Sequence, residues 1–388
     1  MEKLVYLDNA ATTYPKPAIV YEKMDYVNRY LCFNVGRGSY KGARESADIV
    51  DETRKLLAEL VKTEKPQYVV FSPSATIAFN VIVNGLEWDI SKNVFVSPFE
   101  HNAVLRPLYS IAQKNGARLF ELPFNKESFE FDAKAAKLLF EEHKPDYVFI
   151  THVSNVTGYI LPVKEIAELA RKYGAVVILD AAQSLGFVEV DLMELGVDIA
   201  VFAGHKNLYG PLGVGGFIIN SCSNIDGVLK DAIFGGTGSD SLNLEMPRDL
   251  PGKFEAGSPN IVAIAGLNAA LKWLKENIEE IRSKKKKLTL ELVGELKNLG
   301  VKLYIPSDLE SHIGIISMNV EGFRPEEVSL VLDRRFNIAT RAGYHCAALV
   351  HRFLGTVEFG GTLRISLGYF NEKREIEYFI ESLKSIVF

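Results

Sequence analysis

An acidic residue and a lysine follow two successive apolar runs in the middle of the sequence. The run Ile178-Leu179 ends on Asp180, and Lys206 follows the next apolar run 26 positions later. If both runs are parallel strands, both side chains emerge at the same edge of the sheet. A lysine can form a Schiff base with an aldehyde, and a carboxylate can keep a pyridine nitrogen protonated. The pair matches what pyridoxal 5′-phosphate requires, although a strand-end aspartate and a surface lysine are each common alone.

Three further loops place polar groups after predicted strands. Segment 72–76 (SPSAT) follows one strand and opens a helix, where backbone N–H groups and the Thr76 hydroxyl suit either a phosphate site or a plain N-cap. His101 follows another strand, where its imidazole could stack on an aromatic cofactor and move protons, or simply hold a loop. Asn155 follows a third, where its amide could bond a phenolic oxygen. Five such loops on one sheet edge favour a cofactor site.

The elements that must position these residues are short strands alternating with helices. Apolar, β-branched runs predict strands at residues 68–71, 94–96, 147–150, 175–179 and 199–202, and helical periodicity predicts a helix over 164–173. This rhythm predicts an α/β fold with a mainly parallel sheet that is covered on both faces.

The pattern changes after about residue 258. A long helical region with leucines at 288, 292, 296 and 299 precedes candidate strands at 313–319, 338–341 and 362–367 and helices at 325–335 and 372–385. We therefore expect a large cofactor-binding domain over residues 15–258. Residues 1–14 and 259–388 would form a smaller α+β domain that includes the N-terminal segment. The basic run 282–287 lies near Glu276, Glu279 and Glu280, and we expect it to be a solvated helix face.

The composition excludes several classes of protein. The chain has 388 residues, of which 47% are apolar and 24% charged, so it is too apolar to be disordered. Its net charge of −5 argues against binding nucleic acid or membranes through bulk charge, and no signal or membrane-spanning segment is expected. Three cysteines indicate a reduced, cytoplasmic protein; we expect Cys32 to pack in the core and Cys222 to lie in a loop without a role.

Together these features resemble the fold-type I pyridoxal-phosphate enzymes of the class V aminotransferase group and, within it, the cysteine desulfurases. The resemblance runs nearly from end to end and rests also on segments 6–13 (YLDNAATT), 34–39 (NVGRGS), 235–238 (GGTG), 254–260 (FEAGSPN), 341–347 (RAGYHCA) and 361–368 (GTLRISLG). It implies a large domain with a mainly parallel seven-stranded sheet. Only 18 positions separate Cys346 from Arg364, a short loop like that of the Suf-type and selenocysteine-lyase branch.

The resemblance implies a role for each matching residue. Lys206 would hold the cofactor and shuttle protons, Asp180 would pair with the ring nitrogen, and His101 would stack over the ring. The phenolic oxygen would be contacted by Asn155 and Gln183. The phosphate would be bound by Ala75, Thr76, His205 and, from a second subunit, Thr237. Arg364 would grip the substrate carboxylate with Asn34 nearby, Cys346 would be the nucleophile, and no metal is expected.

The implied reaction converts L-cysteine to L-alanine and leaves its sulfur on Cys346 as a persulfide, for iron–sulfur cluster or thio-cofactor synthesis. The short loop would favour a sulfur-acceptor protein, and a homodimer is implied. Selenocysteine lyase, cysteine-sulfinate desulfinase or an aminotransferase of the same fold are alternatives, and a non-enzymatic scaffold is a third. Three residues depart from the pattern of this family. Ala203 stands where relatives carry a hydroxyl that binds the phosphate, so it bears on cofactor affinity. Tyr40 and Tyr344 stand where many relatives carry histidine, so they bear on substrate preference.

Overall fold

The computed structural model describes residues 4–36, 38–238 and 242–387. The strands are β1 (Val5–Tyr6), β2 (Val69–Ser72), β3 (Asn93–Val96), β4 (Arg118–Glu121), β5 (Tyr147–Thr151), β6 (Val176–Asp180), β7 (Ile199–Ala203), β8 (Gly215–Ile219), β9 (Lys302–Tyr304), β10 (Ile315–Asn319), β11 (Ile338–Ala339), β12 (Arg341–Gly343) and β13 (Thr362–Ser366). The helices are α1 (Ala18–Tyr30), α2 (Lys41–Leu60), α3 (Ala75–Gly85), α4 (Asn102–Asn115), α5 (Ala133–Glu142), α6 (Val163–Arg171), α7 (Ile225–Val228), α8 (Ile261–Asn298), α9 (Pro325–Phe336), α10 (Ala348–Leu354) and α11 (Lys373–Val387).

A seven-stranded sheet forms the centre of the molecule, in the order β2-β8-β7-β6-β5-β3-β4. The pairs from β7 through β6, β5 and β3 to β4 are parallel, while β8 is antiparallel to both β2 and β7. The central strands are buried on both faces because helices cover both sides, as their continuous apolar runs predict. The predicted α/β class and mainly parallel seven-stranded sheet are confirmed.

The pattern of apolar runs did not predict two strands of this sheet, β4 and β8. Strand β4 is a largely exposed edge strand with charged residues at both ends, so it has no apolar run. Strand β8 begins with Gly215 and Gly216, which read as a loop although the strand is fully buried.

The second half of the chain adds a smaller sheet with a core of its own. Strands β12, β13, β10 and β9 form this antiparallel four-stranded sheet, and β1 pairs in parallel with β11. The 38-residue helix α8 joins the two regions. Its side chains as far as Ile281 pack in the core of the large sheet, and from Leu288 onward they pack in the core of the small sheet. None of the helices in the described ranges is both long and apolar enough to cross a membrane.

Two expectations about individual residues were wrong. Cys32 is exposed, because α1 ends at Tyr30 and the chain runs over the surface in the residues that follow. Lys285 interrupts the expected solvated face of the basic run: it is only 3% exposed, since its position on α8 faces the protein interior. Lys286 and Lys287, the next residues of the run, are exposed as expected.

Candidate active site

Most of the predicted site residues line one cavity at the carboxyl ends of β5, β6 and β7. The cavity has a volume of about 190 Å³. It is lined by Ala10, Ala11, Ser74, Ala75, Thr76, Phe79, His101, Ala103, Asn155, Asp180, Ala182, Ala203, His205, Lys206, Arg341 and Arg364. The location follows from topology, because parallel strands direct the loops after them to a single edge of the sheet.

Asp180 and Lys206 form the charged centre of this cavity. Asp180 is the last residue of β6, is 8% exposed, and accepts a hydrogen bond of 2.9 Å from the Ala182 N–H. Burial raises the pKa of Asp180, while the positive charge of Lys206 opposes that rise. Burial lowers the pKa of Lys206, and the Asp180 carboxylate opposes that change. A depressed pKa increases the neutral amine form of Lys206, which is the form that attacks an aldehyde.

His101 enters the cavity as the N-cap of α4. Its Nδ1 accepts a hydrogen bond of 3.0 Å from the Ala103 N–H, so the neutral ring carries its proton on Nε2. Burial, together with the charges of Lys206 and nearby arginines, lowers the pKa of His101 to about 3. The ring is therefore neutral at pH 7, as a flat surface beside an aromatic cofactor should be.

The N-terminus of α3 forms a polar end of the cavity. Ser74 caps the helix by accepting from the Ile77 N–H at 3.3 Å, and Ala75 and Thr76 line the cavity beside it. The first residue of β8 must be glycine for this approach, because a Cβ on Gly215 would lie 2.9 Å from the Ala75 nitrogen. Free N–H groups at a helix N-terminus favour an anion such as a phosphate.

His205 lines the cavity directly before Lys206 in the sequence. Its Nδ1 is buried and has no hydrogen-bond partner among the described residues. Its carbonyl oxygen accepts from Lys16 Nζ at 2.7 Å and from the Thr13 N–H at 3.1 Å. Lys16 was not singled out by the sequence; burial lowers its pKa to about 7.

Arg364 is buried at the cavity and is held by two partners. Its Nη2 lies 2.5 Å from Asp8 Oδ1, and its Nη1 donates to the Asn155 carbonyl at 2.9 Å. The side chain is 1% exposed, and its Nε is buried without a hydrogen-bond partner. The guanidinium thus keeps unused donor capacity beside the cavity, which suits a carboxylate ligand. Asp8 was missed, because nothing in the sequence indicates that it meets a residue 356 positions away.

Cys346 lies beside the same cavity, on an exposed loop with unusual backbone geometry. Both His345 and Cys346 have left-handed φ angles, of 47° and 57°. This conformation is unfavourable for non-glycine residues and is retained here by hydrogen bonds. Asn155 Nδ2 donates to the His345 carbonyl at 2.8 Å, and the Asn102 N–H donates to the Cys346 carbonyl at 2.7 Å. The segment is thus tied to the loop that carries Asn155 and to the first residue of α4.

Arg341 is a further residue that sequence reasoning did not assign. It lines the cavity, and its Nη2 lies 3.5 Å from Cys346 Sγ. The guanidinium is a hydrogen-bond donor at this distance, and the sulfur of Cys346 is its acceptor. Its place five residues before Cys346 was the signal that could have identified it.

Some predicted site residues do not line the cavity formed by the described residues. Gln183 is buried behind it and donates from Nε2 to the Ala10 carbonyl at 2.8 Å. Asn34 is exposed and donates to Ser258 Oγ at 3.0 Å. Thr237 does not line the cavity of its own chain. That a second subunit supplies it to the cavity stays a prediction. Arg37, part of segment 34–39, lies outside the described residues.

Comparison with known proteins agrees with this geometry. The model of the aminotransferase class-V family matches residues 5–379. The chain belongs to the class-V aminotransferase family. A probable cysteine desulfurase of Pyrococcus abyssi is 33% identical to it, over 100% of this chain and 95% of that protein. A probable cysteine desulfurase of Methanothermobacter thermautotrophicus is 32% identical, over 98% of this chain and 94% of that protein.

Solved structures of this family share the whole fold. The apo cysteine desulfurase of Thermococcus onnurineus superposes with a TM-score of 0.91 at 30% identity, covering 99% of this chain and 94% of that one. The cysteine desulfurase CsdA of Escherichia coli, in an S-sulfonic acid form, superposes with a TM-score of 0.85 at 25% identity. The match covers 99% of this chain and 96% of that one.

The class-V family implies pyridoxal phosphate, and the residues present fit it. The buried carboxylate of Asp180 accepts one hydrogen bond from the protein and suits a protonated ring nitrogen. The unpartnered Nδ1 of His205 and the N-terminus of α3 suit a phosphate. Lys206, with its lowered pKa, lies in the same cavity and suits an aldehyde.

Proposed function

We propose that the protein is a pyridoxal-phosphate-dependent cysteine desulfurase, a sulfurtransferase that converts L-cysteine to L-alanine. The observation that carries the proposal is the exposed thiol of Cys346 beside the cavity of Lys206, with Arg341 Nη2 3.5 Å from its sulfur. An inert structural cysteine would be buried and would lack a cation beside it.

The chain's own residues divide the work among them. When bound, pyridoxal phosphate supplies an aldehyde that bonds amines and a ring that accepts electrons. Lys206 holds the cofactor, then accepts and returns the substrate's α-proton at Nζ. Asp180 would keep the ring nitrogen protonated, and neutral His101 would lie beside the ring. Arg364 binds the substrate carboxylate through its unused donors.

Cys346 completes the reaction. Its thiolate, with the Arg341 guanidinium beside it, attacks the substrate sulfur. A sulfur–sulfur bond forms as the carbon–sulfur bond breaks, and the electron pair of the broken bond stays with the carbon that becomes the methyl group of L-alanine. The products are L-alanine and a persulfide on Cys346, so that L-cysteine plus one enzyme thiol balances L-alanine plus one enzyme persulfide. A sulfinate substrate needs no enzyme thiol, so the placement of Cys346 favours the desulfurase over the desulfinase.

The persulfide is proposed to pass to an acceptor protein that comes to it. The His345 carbonyl is hydrogen-bonded to Asn155 and the Cys346 carbonyl to the first residue of α4, and these bonds hold the persulfide close to the cavity. Iron–sulfur cluster or thio-cofactor synthesis in the cytoplasm is the proposed destination of the sulfur.

We also propose that the chain is a homodimer with two domains per subunit. In the sequence, Thr237 lies between exposed apolar residues, with Phe234 73%, Leu242 95% and Leu244 100% exposed. Such residues are typical of a surface that another copy covers. The separate core of the four-stranded sheet, which includes Val5 and Leu7, supports a smaller domain that contains the N-terminal segment. The first part of α8, as far as Ile281, packs in the core of the large sheet instead.

The decisive experiment incubates the cofactor-loaded protein with L-cysteine and measures both products. L-Alanine should form, and mass spectrometry should locate one extra sulfur atom on Cys346. Cys346→Ala should abolish both, whereas Cys222→Ala, which removes another exposed thiol, should abolish neither. Absence of L-alanine would refute the function, and L-alanine without a persulfide on Cys346 would refute the role of the thiol.

A further inference from the structure

Lys285 is a buried lysine that the proposed reaction does not use. It lies on α8 with 3% of its surface exposed, and burial lowers its pKa to about 7. Its Nζ donates to Asn207 Oδ1 at 3.2 Å and lies 4.2 Å from the centre of the Phe187 ring. No ion pair among the described residues includes it. An ammonium without a carboxylate partner is costly to bury. We therefore expect its contact with Asn207 to have a function that offsets this cost.

Asn207 is the residue that directly follows Lys206, and it is held on every side. It is 7% exposed, and its Nδ2 donates to the Gln183 carbonyl at 2.5 Å. Gly186, at a φ of +92°, packs against its backbone so closely that a Cβ there would lie 2.5 Å from the Asn207 oxygen. Lys285 provides the remaining contact, to Oδ1. These contacts leave the backbone that carries Lys206 little freedom.

The position of Lys285 along α8 gives this contact its significance. The helix leaves the core of the large sheet after Ile281 and enters the core of the small sheet at Leu288. Lys285 therefore lies at the junction between the two cores. The small sheet contributes Arg341 and Arg364 to the cavity, while the large sheet contributes Lys206 through its loops.

We propose that Lys285 is a positioning residue. It holds Asn207 and, through it, the backbone of Lys206 at a fixed position relative to helix α8. The proposal rests on the proposed function, since it takes Lys206 to be the cofactor lysine. The amine can donate to Asn207 Oδ1 whether or not it carries its extra proton, so the contact does not depend on the charge of Lys285.

Hydrogen–deuterium exchange tests the contact without relying on activity. Lys285→Met keeps an unbranched side chain as far as Cε and removes the donor nitrogen, and loss of a lone buried charge should leave the fold stable. Lys287→Met makes the same change on the exposed face of α8. Residues 204–210 report on the loop, because the Tyr209 N–H bonds to the Lys206 carbonyl and the Gly210 N–H to the Gly204 carbonyl. Their exchange should be about fivefold faster in Lys285→Met than in Lys287→Met, as expected for the loss of one hydrogen bond.

Kinetics separate positioning from a general loss of structure. In the cofactor-loaded protein, Lys285→Met should lower kcat about tenfold while leaving KM for L-cysteine unchanged, because Arg364 still binds the substrate. Asn207→Ala should produce the same changes, and the double variant should be no worse than Asn207→Ala alone.

Two results would overturn the proposal: exchange of 204–210 in Lys285→Met that equals that of Lys287→Met, or kinetic effects of the two substitutions that add. If Lys285→Met does not fold, Asn207→Ala alone decides, and unchanged exchange together with unchanged kcat overturns the proposal. A wild-type protein that forms no L-alanine would refute the proposed function instead, and the exchange comparison would remain interpretable.

Discussion

The buried ion pair between Arg364 and Asp8 would link the stability of the fold to the proposed binding of the substrate carboxylate. Arg364 is 1% exposed and pairs with Asp8 at 2.5 Å. Asp8→Asn keeps the shape of the partner and removes its charge, which leaves a buried guanidinium uncompensated. Breaking a buried pair from one side costs about 3–5 kcal/mol. Because the Asp8 side chain is 18% exposed, the lower end applies, and we expect a loss of about 3 kcal/mol in the free energy of unfolding.

The assay is urea denaturation at pH 7.5, with an exposed pair as its control. Arg29 and Asp25 also pair, at 2.8 Å, but both side chains are 62% exposed. Asp25→Asn should therefore cost less than about 1 kcal/mol. If Asp8→Asn costs no more than Asp25→Asn, the reasoning about the buried charge is refuted.

Added L-alanine, the expected product, tests the role of Arg364 in the same assay. Its carboxylate would supply the negative charge that Asp8→Asn removes. L-Alanine should therefore raise the unfolding free energy more in Asp8→Asn than in the wild type, by ligand linkage. Equal stabilisation of both proteins would show that Arg364 does not bind the carboxylate.

Three further predictions follow from the same structure. Asp180→Asn should lower kcat roughly a hundredfold or more without lowering the melting temperature, since it removes a catalytic charge that is costly to bury. Burial lowers the pKa values of His152, His312 and His351 from 6.5 to about 4. The unfolded chain therefore binds protons first, so stability should be kept above pH 6.5 and lost as the pH falls towards 4. Urea denaturation should show a loss of about 2 kcal/mol in the free energy of unfolding per histidine at pH 5 relative to pH 7.5. Ala203→Ser adds a hydroxyl to the cavity and should tighten cofactor binding about tenfold, measured by equilibrium dialysis; unchanged affinity would mean that the phosphate lies out of reach of β7.

The pattern of short apolar runs predicted most of the large sheet because burial on both faces imposes a simple signal. Each strand must be continuously apolar, and each is followed by a loop at the same edge. The sequence alone therefore predicts that Asp180, His101 and Asn155 lie close together. The same logic fails at edges and glycines, which is why β4 and β8 were missed.

Side-chain partners distant in sequence could not be predicted in this way. Asp8 meets Arg364 across 356 positions, and Asn207 meets Lys285 across 78. Neither pair leaves a local spacing pattern, since the contacts exist only after two separate regions have packed. Cys32 and Lys285 were misjudged for the same reason: the exposure of a residue depends on what packs over it, and its own neighbours in sequence do not show this.

The sequence by itself determined the α/β class and predicted the sheet edge at which Asp180 and Lys206 meet, and its resemblance to a known family pointed to the thiol of Cys346. These depend on local periodicity and on segments that keep their spacing whatever surrounds them. Only the tertiary structure decided which charges are compensated, which amides hold the Cys346 loop, and that a buried lysine on the junction helix contacts the residue after Lys206. Those properties depend on burial and on distances between side chains, which arise only when the chain has folded on itself.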